Sequence, residues 1–218
     1  MGTIFQKSAF LLKKYLVLIY WQQESNPVTY INYVVFYRNR FKGVYIMLNE
    51  INWPEGYLPG TTDNFASNEI IVKGLNAKEV FDNLIDTSIW TSYYDNASDI
   101  VFHNKKGTIL EADTKFSFKT FGFPIEAEII EFVEPKDGKP GRLAWHGWAE
   151  GDADHRLDVI HAWLLEDLSQ DRVRILTQES QKGKPAKDLF NSKPDTMNEG
   201  HQDWIKGLAK TVLATKSK

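Results

Sequence analysis

Cysteine is missing from all 218 residues, which excludes disulfides, thiolate metal sites and a cysteine nucleophile. Missing too are a glycine-rich phosphate loop, an HExxH pair and a Gly-x-Ser-x-Gly elbow, so three common routes to phosphate, zinc and acyl chemistry have no sequence support. No apolar run reaches the roughly 20 residues of a membrane-spanning helix. Tyr15–Trp21 comes nearest, but Lys13-Lys14 and Gln22-Gln23 bracket it closely. No small-residue cleavage site follows that run, and Gln6 stands where a myristoylation signal needs Ser or Thr. The net charge of −3 and a pI near 6.0 supply no basic field for nucleic acid. A cysteine-free chain of this kind is expected in the cytoplasm.

Charge is distributed unevenly. Residues 1–46 hold six basic side chains against one acid, Glu24, while residues 47–218 hold 20 basic and 28 acidic ones. Six of the nine tyrosines also fall before residue 47. Two kinds of sequence are therefore joined near Met47: a basic aromatic extension, 1–46, and a domain, 47–218. Three readings stand for the extension: an over-extended start with Met47 as the true first residue, a surface that touches anionic lipid or a partner, and, least favoured, an export signal.

What the domain does contain is ordered. Residues 52–65, with two Pro and two Gly, read as an extended lead-in. Glu69–Lys73 reads as a first strand. Asn76 and Glu79 have capping-box spacing before Val80, Phe81, Leu84 and Ile85, the apolar face of a helix. Trp90, Tyr93 and Tyr94 fall on a second short helix. Strand-like segments follow at 100–102, 108–119, 125–134, 143–149, 157–165 and 172–180, with Lys115–Lys119 a clean period-two alternation. Thr196 and Glu199 repeat the capping-box spacing, and Trp204, Ile205, Leu208, Ala209, Val212 and Leu213 make the apolar stripe of a long last helix. The fold class is α+β: a seven-stranded curved antiparallel sheet wrapped around that helix, with two short helices after the first strand.

The order of these segments resembles the SRPBCC superfamily (START-related, birch-pollen-allergen-like), and within it the polyketide cyclase/dehydrase-like branch. The resemblance covers about residues 52–215. It is carried by Trp53-Pro54 with Tyr57–Gly60, Asn76–Phe81, Trp90 with Tyr93-Tyr94, Gly107 with Phe116 and Phe118, and Glu131 with Pro135. Leu143–Trp145, His161–Trp163, Glu179 with Gly183, and Trp204 complete it. It implies a helix-grip fold with a cavity between sheet and helix. Relatives bind lipids, polyketides, hormones or other aromatic molecules; some are cyclases or hydrolases, and one branch is a co-chaperone. No universal catalytic motif comes with it.

Strand parity supplies candidate site residues. The odd positions of 157–165 and 173–179 form two apolar rows, interrupted by His161, Thr177 and Glu179. If Leu165 pairs with Val173, His161 lies opposite Thr177, with Glu179 its diagonal neighbour. His161 and Glu179 are then candidates for an acid–base pair in an apolar pocket, or simply for orienting a ligand. Trp90, Tyr93, Phe116, Phe118, Trp145, Trp163 and Trp204 are the expected pocket walls, with His161, Thr177 and Glu179 its polar groups. Trp145 and Trp148 have opposite parity, so one of them faces outward. Glu150–His155 lacks the spacing of a calcium loop and reads as a solvated turn. No metal and no cofactor are expected. Three functions stay open: binding of an apolar, ring-containing small molecule or lipid; a cyclase or dehydratase; and a protein-interaction module.

Overall fold

A computed structural model describes residues 48–216 with their side chains, and backbone strands within residues 5–37. The chain divides into two compact units, Met1–Leu48 and Asn49–Lys218. In the first, β1 (Phe5–Leu12), β2 (Tyr15–Gln22) and β3 (Ile31–Tyr37) form an antiparallel sheet in that order. The basic-aromatic surface expected there, and the alternative start at Met47, lie outside the described residues. Among the described residues, no helix is long and apolar enough to cross a membrane.

The second unit begins with an extended lead-in and β4 (Asn64–Lys73), which starts five residues before the expected strand. Helix α1 (Ala77–Ile85) opens with the expected capping box. The Glu79 N–H donates to Asn76 Oδ1 at 2.9 Å, and the Asn76 N–H donates to Glu79 Oε2 at 3.0 Å. A 3-10 turn and α2 (Trp90–Tyr93) follow. Next come β5 (Ser98–Phe102), β6 (Lys115–Thr120), β7 (Phe123–Val133), β8 (Gly141–Ala149), β9 (Leu157–Leu168) and β10 (Arg172–Lys182). A helix that was not expected, α3 (Lys184–Phe190), precedes α4 (Thr196–Lys216). Pro185 sits in the first turn of α3, where its missing N–H has no intrahelical role.

The seven strands form one antiparallel sheet in the order β4-β10-β9-β8-β7-β6-β5. Register shifts between Ile129 and Glu131, and between Ser98 and Val101, mark bulges, which increase local twist. Helix α4 packs on the inner face. Its N-terminus is capped by Asp195 rather than Thr196: the Asn198 N–H donates to Asp195 Oδ1 at 3.1 Å. Gly207 allows α4 to approach α2, because a Cβ there would stand 2.1 Å from the Tyr93 carbonyl oxygen. Leu213, placed on the apolar stripe by its spacing, is 38% exposed.

Parity decides what each sheet face buries. The odd-numbered Leu157, Val159, Trp163, Leu165, Val173 and Ile175 join the main core with Trp204, Ile205 and Leu208 of α4. The even-numbered Ala144, Ala162, Leu164 and Leu176 of β8–β10 bury against Ile51 and Trp53 of the lead-in, making a small second core on the outer face. Trp145 is inside and Trp148 half-exposed, as opposite parity requires.

Candidate functional site

The β9–β10 hairpin sets the site. It turns at residues 169–171, with Gln170 and Asp171 at positive φ, so β9 runs to Leu168 and pairs with Arg172. This corrects the expected register by two residues: Ile175, not Val173, faces Leu165. A two-residue shift keeps every side chain on its face. It exchanges the partners, however, placing Glu179 directly opposite His161 and Thr177 opposite Trp163.

His161 Nδ1 is 2.8 Å from Glu179 Oε2, and its Nε2 is 2.8 Å from Thr177 Oγ1. A carboxylate only accepts, so Nδ1 carries the proton. Burial pushes the His161 pKa down, against the pull of Glu179. The neutral ring then accepts at Nε2 from the Thr177 hydroxyl. Burial alone would raise the Glu179 carboxyl, but the electrostatic pull and Nδ1–H hydrogen bond of the adjoining His161 hold it below the usual carboxylate range. Gln181 Nε2 donates to Glu179 Oε1 at 2.5 Å, and Asn64 Nδ2 donates to Gln181 Oε1 at 2.7 Å.

His201 comes to this cluster from α4. Its Nε2 lies 3.3 Å from Glu179 Oε2, within ion-pair distance but off the line of a hydrogen bond, and its Nδ1 has no hydrogen-bond partner. It is 1% exposed. Strand parity does not reach it, because it lies on a helix. The signal was present: His201 stands four residues after Met197 and three before Trp204, on the same buried helical face.

The pocket these groups enter has about 400 Å3 of space counted out to its open mouth. It lies under α3, the first turns of α4 and the β6–β7 turn. Of the ten residues expected to line it, Phe118, Trp145, His161, Glu179 and Trp204 do. The other five stand elsewhere. Trp90 and Phe116 are fully buried in an aromatic cluster beyond the pocket, with Trp90 5.1 Å from Trp204 between ring centres. Trp163 stacks behind His161 at 5.5 Å, Thr177 backs the same imidazole, and Tyr93 is half-buried on α2. Phe121, Phe123, Ile125, Leu157, Val159, Leu189 and Met197 supply the rest of an apolar wall. The hollow between sheet and helix is thus filled at the α2 end and open at the α3 end, where the closed inner part has room for only a water-sized guest.

Comparison with solved structures fits this geometry. A Helicobacter pylori hypothetical protein, jhp0584, is 51% identical, with a TM-score of 0.74, over 78% of this chain and 99% of its own. The chain belongs to the family of that protein. Two further structures share the fold at a TM-score of 0.50. One is a Thalictrum flavum norcoclaurine synthase point mutant in complex with a transition state analogue, 12% identical over 70% of this chain and 96% of its own. The other is the di-domain ARO/CYC StfQ of the steffimycin biosynthetic pathway, 8% identical over 72% of this chain and 54% of its own. At these identities they speak for the helix-grip fold only. No family model and no curated protein matches the chain.

Proposed function

We propose that this protein binds a small, ring-containing molecule in the open mouth of the pocket at the α3 end, with Glu179 and His201 meeting the guest's polar group. The observation that carries this is a buried carboxylate, Glu179, set with His161, Gln181 and His201 in the wall of a largely apolar pocket. Binding pockets combine apolar walls with a few placed polar groups, and a buried charge is retained only where something compensates it. That the norcoclaurine synthase of the same fold is seen in complex with a transition state analogue supports the reading. A cytoplasmic setting belongs to the same proposal.

The acid–base alternative is narrower than the sequence suggested. Both ring nitrogens of His161 are engaged, by Glu179 and Thr177, so His161 has no free nitrogen for a substrate proton. Proton transfer would run through His201, whose Nδ1 is unpartnered. The interaction-module alternative loses the outer face of β8–β10, which Ile51 and Trp53 cover.

Titration with a neutral fluorescent ring probe, 1-aminoanthracene, tests the proposal. Leu189 lines the mouth and is only half-buried, so Leu189→Trp blocks the pocket with little disturbance of the core. Saturable one-to-one binding by the natural chain, weakened at least about tenfold (about 1.4 kcal/mol) by the block, is expected. Equal binding by both proteins would refute it.

A further inference from the structure

We propose that His161 Nδ1, Glu179 Oε2 and His201 Nε2 form a binding site for one divalent transition-metal ion of the zinc class, open on its pocket side. This goes beyond the organic guest proposed above and does not need it.

The three residues come from β9, β10 and α4, and their donor atoms all lie within 4.8 Å of one another. Two imidazoles and one carboxylate are a donor set that suits zinc and its first-row neighbours. With three protein ligands and the pocket beyond, a fourth position is left for water or for an atom of the guest. The independent observation is His201. Its imidazole is buried, neither nitrogen makes a hydrogen bond, and the side chain is aimed at Glu179. An orphaned buried imidazole needs an explanation, and a metal bond supplies one.

The surrounding residues hold the ligands as an outer shell does. Gln181 holds the other Glu179 oxygen and Asn64 holds Gln181. Thr177 is placed to let His161 change tautomer without losing a partner. With Nδ1 protonated, the Thr177 hydroxyl donates to Nε2. When a metal takes Nδ1, the ring proton passes through solvent to Nε2, which then donates to Thr177 Oγ1. The hydroxyl turns its hydrogen to the Ala162 carbonyl oxygen, 3.3 Å away. No net proton leaves His161, and no polar atom in that chain is orphaned. Tetrahedral zinc with bonds of about 2.0–2.1 Å has ligand–ligand edges of about 3.3 Å. His201 and Glu179 already stand at that separation, while His161 and Glu179, at 2.8 Å, must open slightly.

The full chain, stripped by chelator and free of organic guest, is titrated with Zn2+ by calorimetry and with Co2+ by visible absorbance. One ion per chain with a Kd below about 1 μM and a tetrahedral cobalt band are expected. His201→Ala and Glu179→Gln should each weaken binding more than tenfold, and Thr177→Val by about tenfold. His155→Ala, in the exposed loop with Asp152, should change nothing. If His201→Ala fails to fold by circular dichroism, His201→Asn replaces it. The proposal is overturned by no zinc binding in the natural chain, by loss of binding in His155→Ala, or by undiminished binding in both ligand variants. A 1-aminoanthracene titration of the metal-free protein reports separately on the organic pocket, so failure of one reading is distinguishable from failure of the other.

Discussion

Strands β9 and β10 carry a buried ionic cluster on each face, and the two differ in what they leave unsatisfied. On the outer face, Arg174 Nε donates to Glu69 at 2.7 Å, and its Nη1 donates to the Asn49 carbonyl at 2.8 Å and to Glu166 at 3.2 Å. Glu166 also accepts from the Asn49 backbone and side chain. This cluster ties the lead-in to the sheet, and none of its residues lines the pocket described above. On the inner face, Glu179 is equally well held, but His201 beside it has an unpartnered nitrogen and the group lines an opening. Charge burial alone therefore does not mark a functional site; a buried charge with an unfilled partner and an access route does.

Mutations can break that contrast. Arg174→Ala leaves Glu166 buried without its cation and is expected to cost about 3–5 kcal/mol of stability by urea unfolding. Combining Arg174→Met with Glu166→Leu should recover most of the loss, since an apolar pair replaces a buried ion pair at little penalty. Neither variant should alter 1-aminoanthracene binding. Glu179→Gln keeps shape and removes charge, so about 1–3 kcal/mol is expected, together with loss of guest and metal. Equal stability losses at the two sites, with pocket binding intact in both, would erase the distinction.

A smaller effect separates the clusters by pH. Both His161 and Glu179 have folded-state pKa values below their ordinary ones, so the unfolded chain binds protons first as pH falls. Their contribution is fully present above the unfolded histidine value of about 6.5. His161's share declines as pH drops below that point, and Glu179's as it drops below about 4.5. Urea midpoints of the natural chain should therefore fall from pH 7.5 to pH 5, and His161→Gln should flatten that slope. An unchanged slope in the variant would show that His161 is not buried neutral. Smallest of all, Thr177→Val should cost about 1 kcal/mol, by leaving His161 Nε2 unpartnered.

Much of this was legible in the sequence, because side-chain alternation survives errors of strand length. Parity alone put His161, Thr177 and Glu179 on one face, and the capping box of α1 was readable from Asn76 and Glu79. The register was not. Polar residues from Glu166 onward suggested an early turn, whereas Glu166 is in the strand, buried against Arg174, a pairing visible only across the sheet. Helix α3 was hidden because Gly183 and Pro185, which flank its start, are residues that favour turns. His201 was passed over because an isolated polar residue on an apolar helical face carries no hint of what lies opposite it. How far the tryptophans fill the hollow depends on packing between distant segments, which no local pattern encodes.

The most direct test of the inner cluster as a recognition site is native mass spectrometry of the full chain purified from its own host. A small organic mass should accompany the natural protein and be absent from Leu189→Trp and Glu179→Gln, while remaining on the Arg174→Met, Glu166→Leu double variant. A natural chain that carries no such mass, or a guest that stays on Leu189→Trp, would contradict the account.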